Sequence, residues 1–569
     1  MILHPELRRA ARCRCTACRG RGPSAGGFEL LARLGLAMPA EGYDYSGAVV
    51  VATRRRRSDQ GGCSVMDAPL YLRPRVEPPL ASLLQDAPFL HALCDALGSP
   101  LNVLLPEVVA ENAERFRSVY RRHHLAGRVY FAHKANRSSA LVRRLAACDP
   151  AAVGIDVASL DELRHALGCG FTGDRVMATG PKDRDFLWLA ARVGATVNLD
   201  SAGELEQLAH LVRRHGLGRV DVLVRLSEFE SDAGPTGSGT RVLSRRSRFG
   251  TPVGRSGEVW EALERYADAV ELTGLAYHLD TTAPEEKARA LERCVLLMDE
   301  CRGRGLRPRA VDIGGGFGVG YVDDAGEWER WTTALSEAVL GVRPSLTWRG
   351  HGYGLRNEGG TVRGTAALYP AHRSVAGPGY LDALLSRPAP ALGRPPATLL
   401  LEHLNDLYVE PGRALVDQCG LSLARVLDVR PTEEGPARHL VRLGMNAGDV
   451  SLEEHGVLVD PVLLPRDGGG DGRRPEPSGG GPVGVHLVGN LCLEADLITR
   501  RLVYLPRLPC AGDLLAFVNT AGYVMDFHAH RAQRQPVART VAVTRGEGAW
   551  RWCPDEDYWP LTDPQGVPS

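Results

Sequence analysis

From about residue 100 to 425 the chain alternates short, β-branched apolar runs with longer stretches whose apolar residues fall three and four apart. No other feature constrains the fold as strongly. Parallel strands cannot be joined by a tight turn, and a helix is the usual way back to the start of the next strand. The runs at 101–105, 129–132, 176–179, 196–199, 220–225, 272–278, 310–313 and 399–401 are expected to be strands, and 137–147 and 160–167 helices. Repeated strand–helix units predict an α/β fold, and eight of them would close a (β/α)8 barrel over 100–425, with reactive groups at the C-terminal strand ends. Within that span, residues 345–382 carry several Gly, Arg and Tyr without a period and are expected to form an inserted lid.

After 425 the pattern changes to short runs at 441–443, 485–488, 514–518 and 540–543 separated by Gly/Pro turns, which predicts a mostly β domain over 426–569. Its Gly-rich stretch at 466–482 is expected to be a flexible loop. Residues 66–99 are expected to pack on that domain. Residues 1–65 lack hydrophobic periodicity and hold Cys13, Cys15, Cys18 and a basic run at 54–57. They are expected to be a disordered extension or to precede a true start at Met66. A zinc knuckle would need a fourth ligand at regular spacing, and none is present.

Bulk properties exclude more than they assign. Net charge is zero, which asks for no nucleic acid or anionic membrane, and no apolar run reaches the length of a membrane span. Thirteen irregularly spaced cysteines in a long chain without a secretory h-region point to reduced thiols in the cytoplasm. One oddity is informative. Of 68 basic residues only Lys134, Lys182 and Lys287 are lysine. Arginine substitutes wherever positive charge suffices, but a guanidinium cannot form an imine, so each surviving lysine is a candidate for amine chemistry.

Lys134 closes Tyr-Phe-Ala-His-Lys at a strand end, where it would point into a barrel mouth and be lowered in pKa by desolvation. Gly314-Gly315-Gly316 follows the strand at 310–313 and offers unobstructed backbone N–H groups to a phosphate. Val319 breaks the dinucleotide register G-x-G-x-x-G. Taken alone, these features also have structural readings: a snorkelling lysine, a glycine turn under a helix, a surface Glu410-Pro411-Gly412 turn, a buried inert Cys492 thiol and a structural His278.

Tyr-Phe-Ala-His-Lys134-Ala-Asn resembles the cofactor-lysine motif of the fold-type III pyridoxal-phosphate enzymes, the alanine-racemase-like barrels that include ornithine, arginine and diaminopimelate decarboxylases. The resemblance runs in order over roughly 95–530. Gly-Asn-Leu-Cys492-Leu-Glu-Ala-Asp through Asn-Thr-Ala-Gly-Tyr523 is most similar to the Y4yA-type branch. It implies pyridoxal 5′-phosphate as cofactor, linked to Lys134, with Gly314, Gly315 and Gly316 at its phosphate. Glu410, in Glu-Pro-Gly412-Arg413, would sit at the pyridine nitrogen and keep it protonated, which favours decarboxylation over racemisation. The resemblance also implies that His278 stacks on the ring and Tyr523 closes over it. Asp156, Glu162 and Arg225 would orient lysine, cofactor and glutamate. The family continues His-x-Gly-Ser where this chain has Leu279, Asp280 and Thr281; Thr281 keeps a hydroxyl for the phosphate, while Asp280 adds bulk and charge.

Cys492 matches a cysteine that assists protonation of the substrate α-carbon from the second subunit of a homodimer with shared active sites. Glu494 and Asp496 are the acidic candidates for substrate contact. The family's basic-substrate enzymes place an acid directly after the cysteine, where this chain has Leu493. The expected function is therefore a decarboxylase acting on an amino acid or derivative, not a simple basic amino acid, with a carrier-tethered substrate as one form of it. An amino-acid racemase or epimerase and a non-catalytic regulatory relative are the alternatives. No metal is expected.

Overall fold

The computed structural model describes residues 68–560 apart from 231–242, 244, 433–434, 467–480 and 547. The cysteines at 13–18 and most of the expected loop at 466–482 lie outside the described residues.

Eight parallel strands close a barrel: Gly127–Ala132, Val153–Val157, Val176–Ala178, Thr196–Leu199, Val220–Ser227, Val270–Tyr277, Ala310–Asp312 and Asp406–Val409. Each pairs with the next in chain order, and the last returns to the first with Leu407 opposite Gly127. Tyr130, Met177, Leu223, Ala276 and Ala310 fill its interior with Tyr408, whose ring meets Tyr130 edge-on at 5.3 Å. A Cβ at Gly154 would sit 2.6 Å from the Tyr130 ring, so that glycine makes room for the plug. The barrel is solid beneath its C-terminal mouth.

Local sequence sets the strand-to-helix transitions on that side. Ser138, Asp183 and Ser201 cap the helices Ser139–Ala146, Arg184–Val193 and Ala202–His215, and Ser159 caps Leu160–Gly168, each accepting a backbone N–H of the first turn. The chain thus turns into a capped helix after the first four barrel strands, and the residues that end those strands are left in the mouth.

The second sheet has nine strands. Val503–Leu505, Val483–Val488, Gly435–Leu443, Gly420–Thr432, Leu101–Leu104, Arg539–Gly546 and Ala549–Pro554 run side by side, while Leu514–Val518 also pairs with Gly420–Thr432 and in turn with Val462–Leu464. Two expectations are corrected here. Leu101–Leu104 is a strand of this sheet and not of the barrel, antiparallel to Gly420–Thr432 and parallel to Arg539–Gly546. Residues 399–401 are not a strand. They lie in the helix Pro396–Glu402, and the eighth barrel strand is the next run, Asp406–Val409. Proline at the first helical turn fits its fixed φ, and the apolar Leu-Leu-Leu buries one side of a short helix as readily as it would a strand.

The stretch expected to be an inserted lid is divided between two roles. Its first part carries the hairpin Arg356–Glu358/Thr361–Arg363 and docks on the β domain through Thr347 opposite Arg501, Trp348 N–H to the Arg500 carbonyl, and Tyr369 N–H to the Gly456 carbonyl. Its end begins the helix Gly377–Ser386, which packs among the outer helices of the barrel. Among the described residues no helix is long and apolar enough to cross a membrane.

Candidate active site

Lys134 lies in the single turn His133–Ala135 that follows the strand Gly127–Ala132. Two hydrogen bonds lock this turn to the C-terminal motif: Tyr523 N–H donates to the Ala135 carbonyl (2.8 Å) and Asn136 Nδ2 to the Ala521 carbonyl (2.8 Å). Sequence segments almost 390 residues apart thereby share one site. The Lys134 side chain is open to solvent within the mouth. Burial there pulls its pKa down, but Tyr523, Asp156 and Glu410 outweigh that effect and Arg225, so the net shift is upward. The expected lowering is thus overturned by the acidic surroundings. The amine is held as an ammonium until a neighbour takes its proton.

Those surroundings are three buried acids at strand ends on the two sides of the Lys134 strand: Asp156 on one, Glu410 and Asp312 on the other. Burial, reinforced by Asp312, pushes Glu410 up to about 8. Burial, reinforced by Glu410, pushes Asp156 up to about 7, and Asp312 rises to about 6, chiefly by burial, although it accepts the Gly314 N–H at 2.8 Å. Asp156 Oδ1 is buried with no hydrogen-bond partner among the described residues. Arg225 stands over this group, 3.6 Å from Asp200 and with its guanidinium 4.9 Å from the Phe249 ring centroid. At neutral pH Glu410 thus keeps its proton, and a ring nitrogen placed beside it could share or take it.

The glycine loop continues directly from Asp312 and lies against Glu410. Gly314 and Gly316 have φ of 64° and 85°, and a Cβ at Gly314 would lie 2.6 Å from the Tyr277 carbonyl oxygen and 2.8 Å from His278 Nδ1. A Cβ at Gly315 would meet the Glu410 carbonyl oxygen at 2.9 Å. His278, at the end of Val270–Tyr277, accepts the Gly315 N–H on Nδ1 at 3.1 Å. Burial and nearby Lys134, Lys287 and Arg225 hold its pKa well below the usual imidazole value, so the ring is neutral with its proton on Nε2. Two of the three loop amides are therefore already engaged. The Thr281 hydroxyl accepts the Ala283 N–H at 3.0 Å.

Gly412 completes the rim, since a Cβ there would lie 2.5 Å from Tyr523 Oη. Tyr523 itself has φ of +65°. Arg413 donates to Tyr321 Oη at 2.8 Å and lies 5.0 and 5.4 Å from the Tyr369 and Tyr523 ring centroids.

The remaining candidates sit apart from this cluster. Cys492 is exposed on the β domain, its N–H donating to Gln533 Oε1 at 2.9 Å. Glu494 is exposed and pairs with Arg349 at 3.2 Å. Asp496 is not available to a substrate: its two carboxylate oxygens accept the N–H groups of Ala447 and Leu491, both at 2.8 Å, and clamp its own loop. Its buried, bonded state corrects the expected substrate contact.

Three participants, Asp312, His133 and Asp200, were not singled out in the sequence, and a fourth, Lys287, was named only as a candidate amine. Asp312 carries the same signature as Asp156, a lone acid at the end of an apolar strand, and could have been found by it. Lys287 was one of three lysines, without a context. His133 precedes Lys134, and its Nε2 lies 2.7 Å from His165 Nδ1, with Glu162 3.5 Å away on the other side. Asp200 ends its own barrel strand. Among the described residues no cluster of His, Cys, Asp or Glu could hold a metal ion.

Residues 107–347 match the family described as pyridoxal-dependent decarboxylase, pyridoxal binding domain. Over 465 residues the chain is 31% identical to the uncharacterised protein y4yA of Sinorhizobium fredii (strain NBRC 101917 / NGR234), covering 80% of this chain and 91% of that one. The chain belongs to this family, in its Y4yA branch. A diaminopimelate decarboxylase of Actinosynnema pretiosum subsp. auranticum is 28% identical over 81% of this chain and 86% of its own. Among solved structures, diaminopimelate decarboxylase from M. jannaschii superposes with TM-score 0.59 at 18% identity, covering 81% and 90% of the two chains. The agmatine-bound arginine decarboxylase of Paramecium bursaria Chlorella virus superposes at 0.55 with 17% identity, covering 80% and 100%. These structures share the barrel and β domain.

The enzyme is thus a pyridoxal-phosphate-dependent decarboxylase, and its residues fit the cofactor. With the Gly314 N–H on Asp312 and the Gly315 N–H on His278, the Gly316 N–H would be the loop's donor to the phosphate. The orphaned Asp156 oxygen and protonated Glu410 suit a ring nitrogen, and Lys134 is the amine open to the mouth.

Proposed function

We propose that this decarboxylase acts on an amino acid, or an amino-acid derivative, whose distal end is not a simple ammonium or guanidinium. The observation that carries the reading is the segment after Cys492. Leu493 is a largely exposed apolar side chain, and the nearest acid, Glu494, is already paired with Arg349. A cation moved from water against leucine without a partner costs several kcal/mol, roughly.

Lys134 would hold the cofactor, which would supply an electron sink for loss of the carboxylate. The chain's own residues set the conditions. Glu410 holds a proton toward the ring nitrogen. Burial and its neighbour Asp312 raise its proton affinity, while Lys134 and Arg225 oppose them. Neutral His278 presents an uncharged ring beside Lys134, and its Nδ1 is occupied by Gly315, so only Nε2 can donate. Tyr523, fixed to the Lys134 turn, closes the other side.

The exposed Cys492, with Leu493, is read as the contribution of a second copy, delivering a proton to the α-carbon in a head-to-tail homodimer. Lys134 is the alternative donor within the same chain. The acidic, protonated environment of Glu410 supports decarboxylation over racemisation, since a retained ring proton deepens the sink.

A screen for carbon dioxide release over amino acids of differing distal groups tests this. Apolar or acylated substrates are expected to turn over at least about a hundredfold more efficiently than ornithine, arginine or diaminopimelate. Efficient turnover of one of those three would overturn the substrate reading.

A further inference from the structure

Lys287 is completely buried in the helix Pro284–Gly303, yet no carboxylate of the described residues pairs with it. Lys182, as deeply buried, has Glu204 at 3.1 Å. The Lys287 ammonium instead donates to the carbonyl oxygen of Gly315 and reaches that of Ile313 at 3.4 Å. Its Nζ lies 5.7 Å from the Phe317 ring centroid and 3.2 Å from where a Gly316 Cβ would stand. Tyr277 Oη holds its backbone carbonyl at 2.7 Å. A slim lysine stem enters this space; the wider guanidinium that serves almost everywhere else in the chain would crowd Gly316.

The direction of that hydrogen bond matters. In a trans peptide the C=O and the following N–H point to opposite sides. A Gly315 carbonyl turned toward Lys287 therefore turns the Gly316 N–H away from it. The Gly314 N–H is bound to Asp312 and the Gly315 N–H to His278, so the Gly316 amide is the donor the loop has left. A cation on the carbonyl also polarises the peptide and strengthens that donor.

We propose that Lys287 is a positioning residue for the cofactor phosphate, fixing the Gly315–Gly316 peptide with its N–H toward the phosphate and placing a positive charge behind it. This rests on the reading of the glycine loop as the phosphate site. It also accounts for an amine surviving in a chain that has otherwise lost nearly all its lysines. Burial draws Lys287 down to about 8 against the pull of Glu410 and Asp312, which leaves it mostly charged at neutral pH.

The test compares two aldehydes on the full-length, cofactor-free protein: pyridoxal 5′-phosphate and pyridoxal, which lacks the phosphate. Each is titrated while the absorption of its link to Lys134 is followed. Wild type is expected to prefer the phosphorylated aldehyde strongly. Lys287→Met, similar in volume and uncharged, is expected to bind the phosphate form about ten- to a hundredfold more weakly while its affinity for pyridoxal stays unchanged. Lys287→Gln keeps a donor for Gly315 without the charge and is expected to fall between them. Inorganic phosphate should raise the Tm of cofactor-free wild type more than that of Lys287→Met. Equal losses for both aldehydes, or no loss for either, would overturn the role of Lys287 alone. A wild type that takes pyridoxal as tightly as its phosphate would overturn the glycine-loop reading, and this proposal with it.

Discussion

At the scale of single residues, the site is governed by where protons rest. The Glu410 carboxyl moves from an ordinary 4.5 to about 8 in the folded protein, so folding takes up a proton between those values. A raised carboxyl contributes stability that is fully present below the unfolded pKa and is lost as pH rises through the folded one. The cofactor-free protein is therefore expected to lose Tm between about pH 5 and 8, with Asp156 and Asp312 adding to the slope. Glu410→Gln cannot ionise and should flatten that profile; an unchanged slope would contradict the assignment. In the loaded enzyme the same variant is expected to lower kcat by about a hundred- to a thousandfold, the usual loss when one preorganised electrostatic group is removed. Much of this cluster was legible in the sequence because special chemistry leaves special residue types: a rare lysine, an acid ending an apolar strand, a triple glycine. The direction of the Lys134 shift was not legible. It depends on the summed field of Tyr523, Asp156 and Glu410, which come from three distant parts of the chain.

At the scale of elements, the turns after the strands carry the function. Gly314 has a positive φ and no space for a Cβ beside the Tyr277 carbonyl and His278. Gly314→Ala is expected to cost about 1–3 kcal/mol in denaturant unfolding and to weaken cofactor binding, because the loop must shift away from His278. A variant with wild-type stability and affinity would show that the loop tolerates the group. A second element prediction concerns Arg501, which is buried and bonded to Asp460 at 2.6 Å, while Asp460 also accepts the Leu72 N–H at 2.7 Å. This clamp joins residues near 72, the inserted segment at Thr347 and the β domain. Arg501→Ala leaves Asp460 buried and is expected to cost about 3–5 kcal/mol; a loss under 1 kcal/mol would mean that the pair is dispensable. Periodicity placed six of the eight barrel strands but neither Val153–Val157 nor Asp406–Val409. Residues 399–401 are apolar whether helical or extended, and proline at position 396 was the available signal for a helix start. Leu101–Leu104 is extended as read, but four residues of strand say nothing about which sheet they join.

At the scale of the whole molecule, alternation of strand and helix followed by turn-separated strands was enough to give a barrel and a β domain. How the domains interlock was not, because that is fixed by pairings across more than 300 residues, such as Leu101 with Leu423. The same distance problem applies between chains. If a second copy completes the site, mixing Lys134→Ala chains with Cys492→Ala chains should restore up to about a quarter of wild-type activity, from mixed dimers with one intact site. No restoration after subunit exchange would place the whole site in one chain. Beneath all of these lies the claim that Lys134 carries the cofactor of a decarboxylase. The most direct measurement is the visible absorption of purified wild type and Lys134→Ala with added pyridoxal 5′-phosphate, followed by carbon dioxide release from the amino-acid panel. Wild type is expected to be coloured and to release carbon dioxide, and the variant to lack both properties. A Lys134→Ala protein that keeps the colour and the activity would contradict it.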